Sequence, residues 1–339
     1  MLSSLFCAVN RLLTCLFLLC TCGTFAQVLP SFGNSRTGTA GMQFLKIMPD
    51  ARGNSMAGSY IAQADDAMAM FWNPAGITQI GKERLHVQFD QTRYFAGFNL
   101  SSIAAVYRPA QTSFWGVYSY VLTSPEMDET TEFQPEGTGR TFRSQSTLTG
   151  FTYARILTNS FSFGVNAKFA REAYSDVAVN NVMFDLGIRY NVGVKNARFA
   201  VTLSNFGINV EPNGEVTRLR HTGDEVVSGF ERISVPGIFR IGAAFDPISK
   251  ENHVLTLSTQ LNHPTDNNET LAFGAEYVMR KVFVLRSGYE FGADVSGFPP
   301  LGMGVKLRRK FGEMRIDYGF SHKQRLGQVH RVGIQISFL

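Results

Sequence analysis

From Arg84 to the end of the chain, apolar and polar residues alternate with a period of two, segment after segment. Phe161, Phe163, Val165 and Phe169 alternate with Ser162, Gly164, Asn166 and Lys168. Val182, Phe184, Leu186, Ile188 and Tyr190 alternate with Asp185, Gly187, Arg189 and Asn191, and Met314, Ile316, Tyr318 and Phe320 with Glu313, Arg315, Asp317 and Gly319. Successive side chains of a strand point to opposite faces, so each segment predicts a strand with one apolar and one polar face. The charges occupy one row only. In a soluble core that row would lose water at a cost of several kcal/mol per unpaired charge, whereas the lumen of a membrane barrel accepts it.

The predicted strands are 84–93, 95–108, 113–123, 141–157, 161–173, 182–194 and 198–208, then 237–246, 253–261, 270–280, 282–291, 301–309, 311–321 and 329–338. This is an all-β reading: a transmembrane antiparallel β-barrel of about 14 strands, the usual even number. The connections sort by parity. Even-numbered links are brief (108–112, 158–160, 195–197, 246–252, 280–281, 310) and read as periplasmic turns. Five odd-numbered links run long (124–140, 174–181, 209–236, 262–269, 292–300) and read as external loops, with one tight exception near Tyr94. A soluble β-sandwich has no reason to sort its loops in this way.

Residues 1–26 carry Arg11, an apolar run from Leu12 to Cys20 and the small residue Ala26 before Gln27, the pattern of a secretory signal cleaved after Ala26. All four cysteines (Cys7, Cys15, Cys20, Cys22) fall inside it, so disulfides contribute nothing to the mature chain. Mean hydropathy is −0.03, a value that barrels share with soluble proteins because half of each strand is polar. Without Arg11, 31 basic residues face 27 acidic ones, too even and scattered a balance for a nucleic-acid partner. The Arg308, Arg309, Lys310 cluster reads as a solvated periplasmic turn.

Residues 27–83 lack the alternation and are rich in Ala, Gly, Ser and Met, which suits a compact N-terminal plug inside a wide barrel spanning 84–339. Within the plug, Asp65 or Asp66 is expected to cap a short helix running through Met70, and Pro74 to end it. Asn73, Pro74, Ala75 and Gly76 form a turn. The inward charges Glu276, Arg286, Glu290, Lys306, Arg308, Glu313, Arg315, Asp317 and Arg331 come from neighbouring strands and predict a lumenal ion-pair network with a structural role.

Enzymatic chemistry is missing. None of His86, His221, His253, His263, His322 and His330 pairs at hydrolase or metal-site spacing. His263 and Asp266 share an external loop and read as turn residues, and Gly302-Met-Gly304 lacks a phosphate-loop context. No enzyme activity, metal or cofactor is therefore expected.

The segment Gly58-Ser-Tyr-Ile-Ala-Gln-Ala-Asp-Asp-Ala with Phe71-Trp-Asn-Pro-Ala-Gly76 resembles the N-terminal region of FadL-type outer-membrane transporters. Phe44-Leu-Lys-Ile47 and Asp50-Ala-Arg-Gly-Asn-Ser-Met-Ala-Gly58 resemble the opening of the PorV/PorQ family within that superfamily. Further phrases are similar to it: 262–277, Leu285-Arg-Ser-Gly-Tyr289, Asp317-Tyr-Gly-Phe320 and Leu326-Gly-Gln-Val-His-Arg331. The resemblance implies a fourteen-stranded plugged barrel in the cell outer membrane, working with the type IX secretion system of Bacteroidota. Its implied partners are the type IX translocon and cargo C-terminal domains.

Besides the lipid bilayer, the C-terminal strand would engage the barrel assembly machinery. Two functions compete. External loops, above all 209–236, would recruit a folded partner; alternatively, the barrel is a FadL-like channel for hydrophobic small molecules, with a greasy pocket lined by Met70, Phe71 and Trp72. A nonspecific polar porin is disfavoured by the plug.

Overall fold

The structure is a computed structural model that describes residues 37–218, 225–293, 297–309 and 312–338. The expected signal segment and its cleavage point, His221 and Lys310 lie outside these residues. Fourteen antiparallel strands close a ring. The first seven are β1 (Leu85–Arg93), β2 (Asn99–Tyr107), β3 (Ser113–Thr123), β4 (Ser144–Ile156), β5 (Phe161–Tyr174), β6 (Val177–Asn191) and β7 (Arg198–Gly207). The second seven are β8 (Ile238–Lys250), β9 (His253–Pro264), β10 (Thr270–Met279), β11 (Phe283–Phe291), β12 (Leu301–Arg309), β13 (Gly312–Lys323) and β14 (Gly327–Phe338). Each pairs with its neighbours, and β1 pairs with β14 from Leu85↔Phe338 to Arg93↔His330. Closure leaves no sheet edge, the condition for strands to sit in hydrocarbon.

The outer row is apolar, with Val182, Phe184, Leu186, Ile188 and Tyr190 all exposed while Asp185 and Arg189 are buried in the lumen. Near the short-turn rim, Tyr107, Trp115, Tyr153, Tyr190 and Phe199 form an outward belt; Trp115 and Tyr153 have ring centroids 4.6 Å apart. Aromatic girdles of this kind mark the membrane interface. Phe184 lies mid-strand, so Phe184→Arg is expected to cost about 2–4 kcal/mol of folding free energy from lipid vesicles. A cost close to zero would show that this wall does not face lipid.

Several boundaries differ from expectation, each for a local reason. β6 starts at Val177 rather than 182, so the expected long loop 174–181 is a two-residue turn at Ser175 (φ 49°) and Asp176. There Val179 points inward and Asn180 outward, reversing the apolar face above the bilayer band, and the strand therefore reads as a loop. β8 continues through Pro247 to Lys250, with a register shift between Phe245 and Ile248 where proline cannot donate to the ladder. β9 reaches Pro264, which shortens the loop expected over 262–269.

β2 begins at Asn99 rather than 95, after a turn over Phe95–Gly97 with Ala96 at φ 52°. Thr141–Phe142 is not part of β4 but pairs with Met127–Asp128 in a separate hairpin. Beside that hairpin, hydrogen bonds from Thr141 and Arg143 hold the Glu126 carboxyl below its usual range. The long connections are thus 124–143, 208–237 and 292–300, all on one rim.

Candidate functional site

The lumen is filled by residues 40–80. Asp50 opens this segment chemically: its carboxylate accepts from the Gly53 backbone N–H at 2.6 Å, capping α1 (Ala51–Ser55), and from Trp72 Nε1 at 2.7 Å. The second helix, α2 (Ala69–Trp72), starts after Met68 without a side-chain cap. The expected capping by Asp65 or Asp66 is therefore corrected. Asp66 instead accepts from Tyr60 Oη (2.6 Å) and Arg315 (2.8 Å), because charged and phenolic partners outbid an orphan backbone N–H in a buried site. Asn73 does cap: its side chain accepts from Ala75 N–H, and Pro74 opens the 3-10 turn Pro74–Gln79 that leads to β1.

The plug fits between two unlike walls. On one side, inward residues of β2–β4 are mainly apolar or aromatic, and Leu100, Phe114, Tyr118, Tyr120 and Leu148 are buried in one cluster with Ile61, Met68, Met70 and Ile77 of the plug. On the other, α1 lies against β11–β14, whose inward row is charged. Contact is close enough to require glycine at two points of the wall, on β5 and on β11. A Cβ on Gly164 would lie 2.4 Å from the Pro74 carbonyl carbon, and one on Gly288 would lie 2.4 Å from that of Met56.

The charged side is a continuous buried network. Arg52 of the plug holds Glu276 through Nε (2.9 Å) and Nη2 (3.0 Å), and also bonds Asp65. Arg286 bridges Glu276 and Asp317 at 2.6 Å each, and Arg315 bridges Asp317 (2.7 Å) and Asp66 (2.8 Å). Gln63 adds a bond to Glu276 at 2.8 Å. The network therefore ties plug to wall as well as strand to strand. A second, smaller cluster joins Lys168 to Asp185 at 2.6 Å beneath the β6–β7 bulge, where Asn205 (φ 60°) donates its backbone N–H to Asp185.

Above the plug, on the long-loop side, lies a cavity of about 260 Å³. Its floor holds Phe71 and Trp72, and its walls include Lys46, Arg240, Gln260, Asn262, Glu290 and Lys323. It is polar as well as aromatic, unlike the greasy pocket expected around Met70, Phe71 and Trp72. Met70 is buried elsewhere, against Gly116 of β3. A larger apolar concavity, about 550 Å³, sits on the outer wall among Tyr277, Leu285, Met303 and Phe320. Acyl chains fill such a groove in a bilayer, so it is not a lumenal site.

Of the inward charges picked out in the sequence, the structure joins Glu276, Arg286, Arg315 and Asp317. Arg331 instead donates to Met48 O (3.3 Å) and Ser321 (3.2 Å), and Glu290 accepts from Thr270 (2.6 Å). Lys306 lies on the inward row of β12, whereas Arg308 is exposed near the short-turn rim, where its backbone pairs with Glu313. His263 contacts Glu269 at 3.0 Å, while Asp266 binds Lys46 at 2.6 Å. Asp50, Arg52 and Arg240 carry much of the geometry and were not singled out individually. Asp50 before a short Ala-Arg-Gly-Asn-Ser run was the legible signal, since aspartate at that place is a helix cap.

No protein-family model and no curated protein matches the chain. Solved structures do. The CymD monoaromatic hydrocarbon channel is 15% identical with TM-score 0.58, over 85% of this chain and 97% of that one. The Ralstonia pickettii toluene transporter TbuX is 13% identical with TM-score 0.58, over 86% and 98%. A Pseudomonas aeruginosa FadL homologue is 11% identical with TM-score 0.55, over 86% and 98%. The chain is an outer-membrane-type β-barrel with the fold of FadL-like channels.

Proposed function

We propose that this protein is a non-enzymatic FadL-like channel in the outer membrane that admits hydrophobic small molecules past its plug. The observation that carries the reading is a plugged fourteen-stranded lumen with a cavity opening above Phe71 and Trp72, on the fold of channels named for toluene and monoaromatic hydrocarbons. Residues 1–26 then serve as the cleaved export signal. Deleting the gene should slow uptake of a labelled hydrophobic solute by whole cells, and plasmid-borne protein should restore it. Unchanged uptake across a panel of such solutes would sink the reading.

A second reading has one specific support. The PorV/PorQ-like phrases of the sequence run through the plug, and Ser234 in the long connection after β7 sits against it, with Gly41 N–H donating to Ser234 O at 2.9 Å. Such a rim could hold a type IX translocon subunit or a cargo C-terminal domain. Co-purification of a translocon subunit from native membranes supports this reading; intact secretion of surface proteins in the deletion strain opposes it.

A further inference from the structure

Arg240 lines the cavity and has no partner that matches its charge. It projects from β8 into the lumen, is only 8% exposed, and donates to the neutral Ser204 Oγ at 2.9 Å; among the described residues it has no ion-pair partner. Arg52, Arg286 and Arg315 at similar burial each have carboxylates, whereas Arg189 and Arg331, also without an ion pair among the described residues, donate to the Ala64 and Met48 carbonyls and do not line the cavity. A guanidinium held out of water without a counter-ion is costly, and an anionic ligand recovers that cost.

The surroundings narrow the ligand. Lys46 is already matched by Asp266 at 2.6 Å. That leaves Arg240 and Lys323 facing Glu290, two cations against one carboxylate in the cavity, since Asp185, the other carboxylate near Arg240, is paired with Lys168 at 2.6 Å; Glu290 is engaged by Thr270 (2.6 Å) and Asn262 (3.4 Å). The floor is aromatic, from Phe71 and Trp72, which stand edge to face with centroids 5.6 Å apart. A volume of about 260 Å³ falls just under the range of about 300–1,000 Å³ common for drug-sized ligands. It accommodates one ring with a short substituent.

We propose that the cavity selects small ring-bearing carboxylates, the carboxylate meeting the Arg240 fork and the Lys323 ammonium while the ring rests on Phe71 and Trp72. This rests on the channel reading and specifies its substrate. Neutral hydrocarbons of the same size would leave Arg240 unmatched and bind more weakly.

The test is calorimetric titration of the purified, detergent-solubilised protein with sodium benzoate and, separately, with toluene. Benzoate is expected to bind more tightly than toluene. Arg240→Gln should weaken benzoate at least tenfold without changing toluene, and Arg240→Lys should recover part of the loss. Lys323→Gln, at the end of β13, should weaken benzoate several-fold and carries the test if Arg240→Gln does not assemble, as judged by heat-dependent gel mobility. Benzoate affinity unmoved by these variants, or toluene binding without benzoate binding, overturns the inference and leaves the channel reading intact. Binding of neither probe, together with unchanged cellular uptake, overturns both.

Discussion

Glu276→Ala is expected to be the most destabilising single substitution in the lumen, lowering unfolding stability by about 3–5 kcal/mol, the range for removing one partner of a buried ion pair. Glu276 is 4% exposed and serves Arg52, Arg286 and Gln63 together. Its loss leaves both guanidinium groups short of a counter-ion: Arg52 keeps Asp65, and Arg286 keeps Asp317. Because Arg52 belongs to the plug and Arg286 to the wall, the defect should also loosen the plug. Two readouts follow: a lower midpoint in heat-dependent gel mobility, and ion conductance across planar bilayers above the wild-type level. Glu276→Gln keeps shape and part of the hydrogen bonding, so it should fall between. A stable, silent Glu276→Ala barrel would show that the network does not hold the plug.

Gly288→Val and Gly164→Val should have effects of comparable size by a different route. The nearest atoms to a new Cβ are backbone atoms of Met56 and Ala57 at Gly288, and of Pro74 and Ala75 at Gly164, at 2.4–2.8 Å. Backbone cannot swing aside as a flexible side chain can, so the plug must shift or the strand must bend. Overpacking typically costs about 1–3 kcal/mol, and these contacts are closer than most. Gly229→Val, where a Cβ meets nothing within 4 Å, is the control and should be silent. Normal assembly and a closed pore in both wall variants would mean the plug does not press on the wall at these glycines.

The barrel was legible because lipid imposes a simple rule: where a strand crosses hydrocarbon, its outer row must be apolar, and Val182 to Tyr190 obey it residue by residue. The rule lapses outside the bilayer. Val177–Asn181 and Ile248–Lys250 continue their strands with the faces reversed or polar, and they were read as loops. The inner row was legible only as charge. That Leu100, Phe114, Tyr118, Tyr120 and Leu148 would make the β2–β4 sector of the lumen apolar follows from the shape of the plug, which has no period to read.

The plug was visible as composition but not as contacts. Asp66 shows why: beside Asp65, before a short helical run, local rules favour a cap, yet its partners Tyr60 and Arg315 are reached through six and 249 positions of sequence. Arg240 likewise has no local signature. What sets it apart is its place on the cavity wall with only the Ser204 hydroxyl opposite it, which depends on the fold and not on its neighbours in the chain.

The segment that fills the lumen joins β1 through a short link at 81–84, and β1 is also the strand that β14 meets to complete the ring. Before that last pairing the ring has an open side next to the tether; afterwards the contents are enclosed by hydrogen-bonded wall all round. Entry therefore comes before the final pairing or together with it, and the order of events in time is written into the chain order. Variants that slow the folding of residues 50–80 should accumulate as unsealed barrels rather than as sealed empty ones.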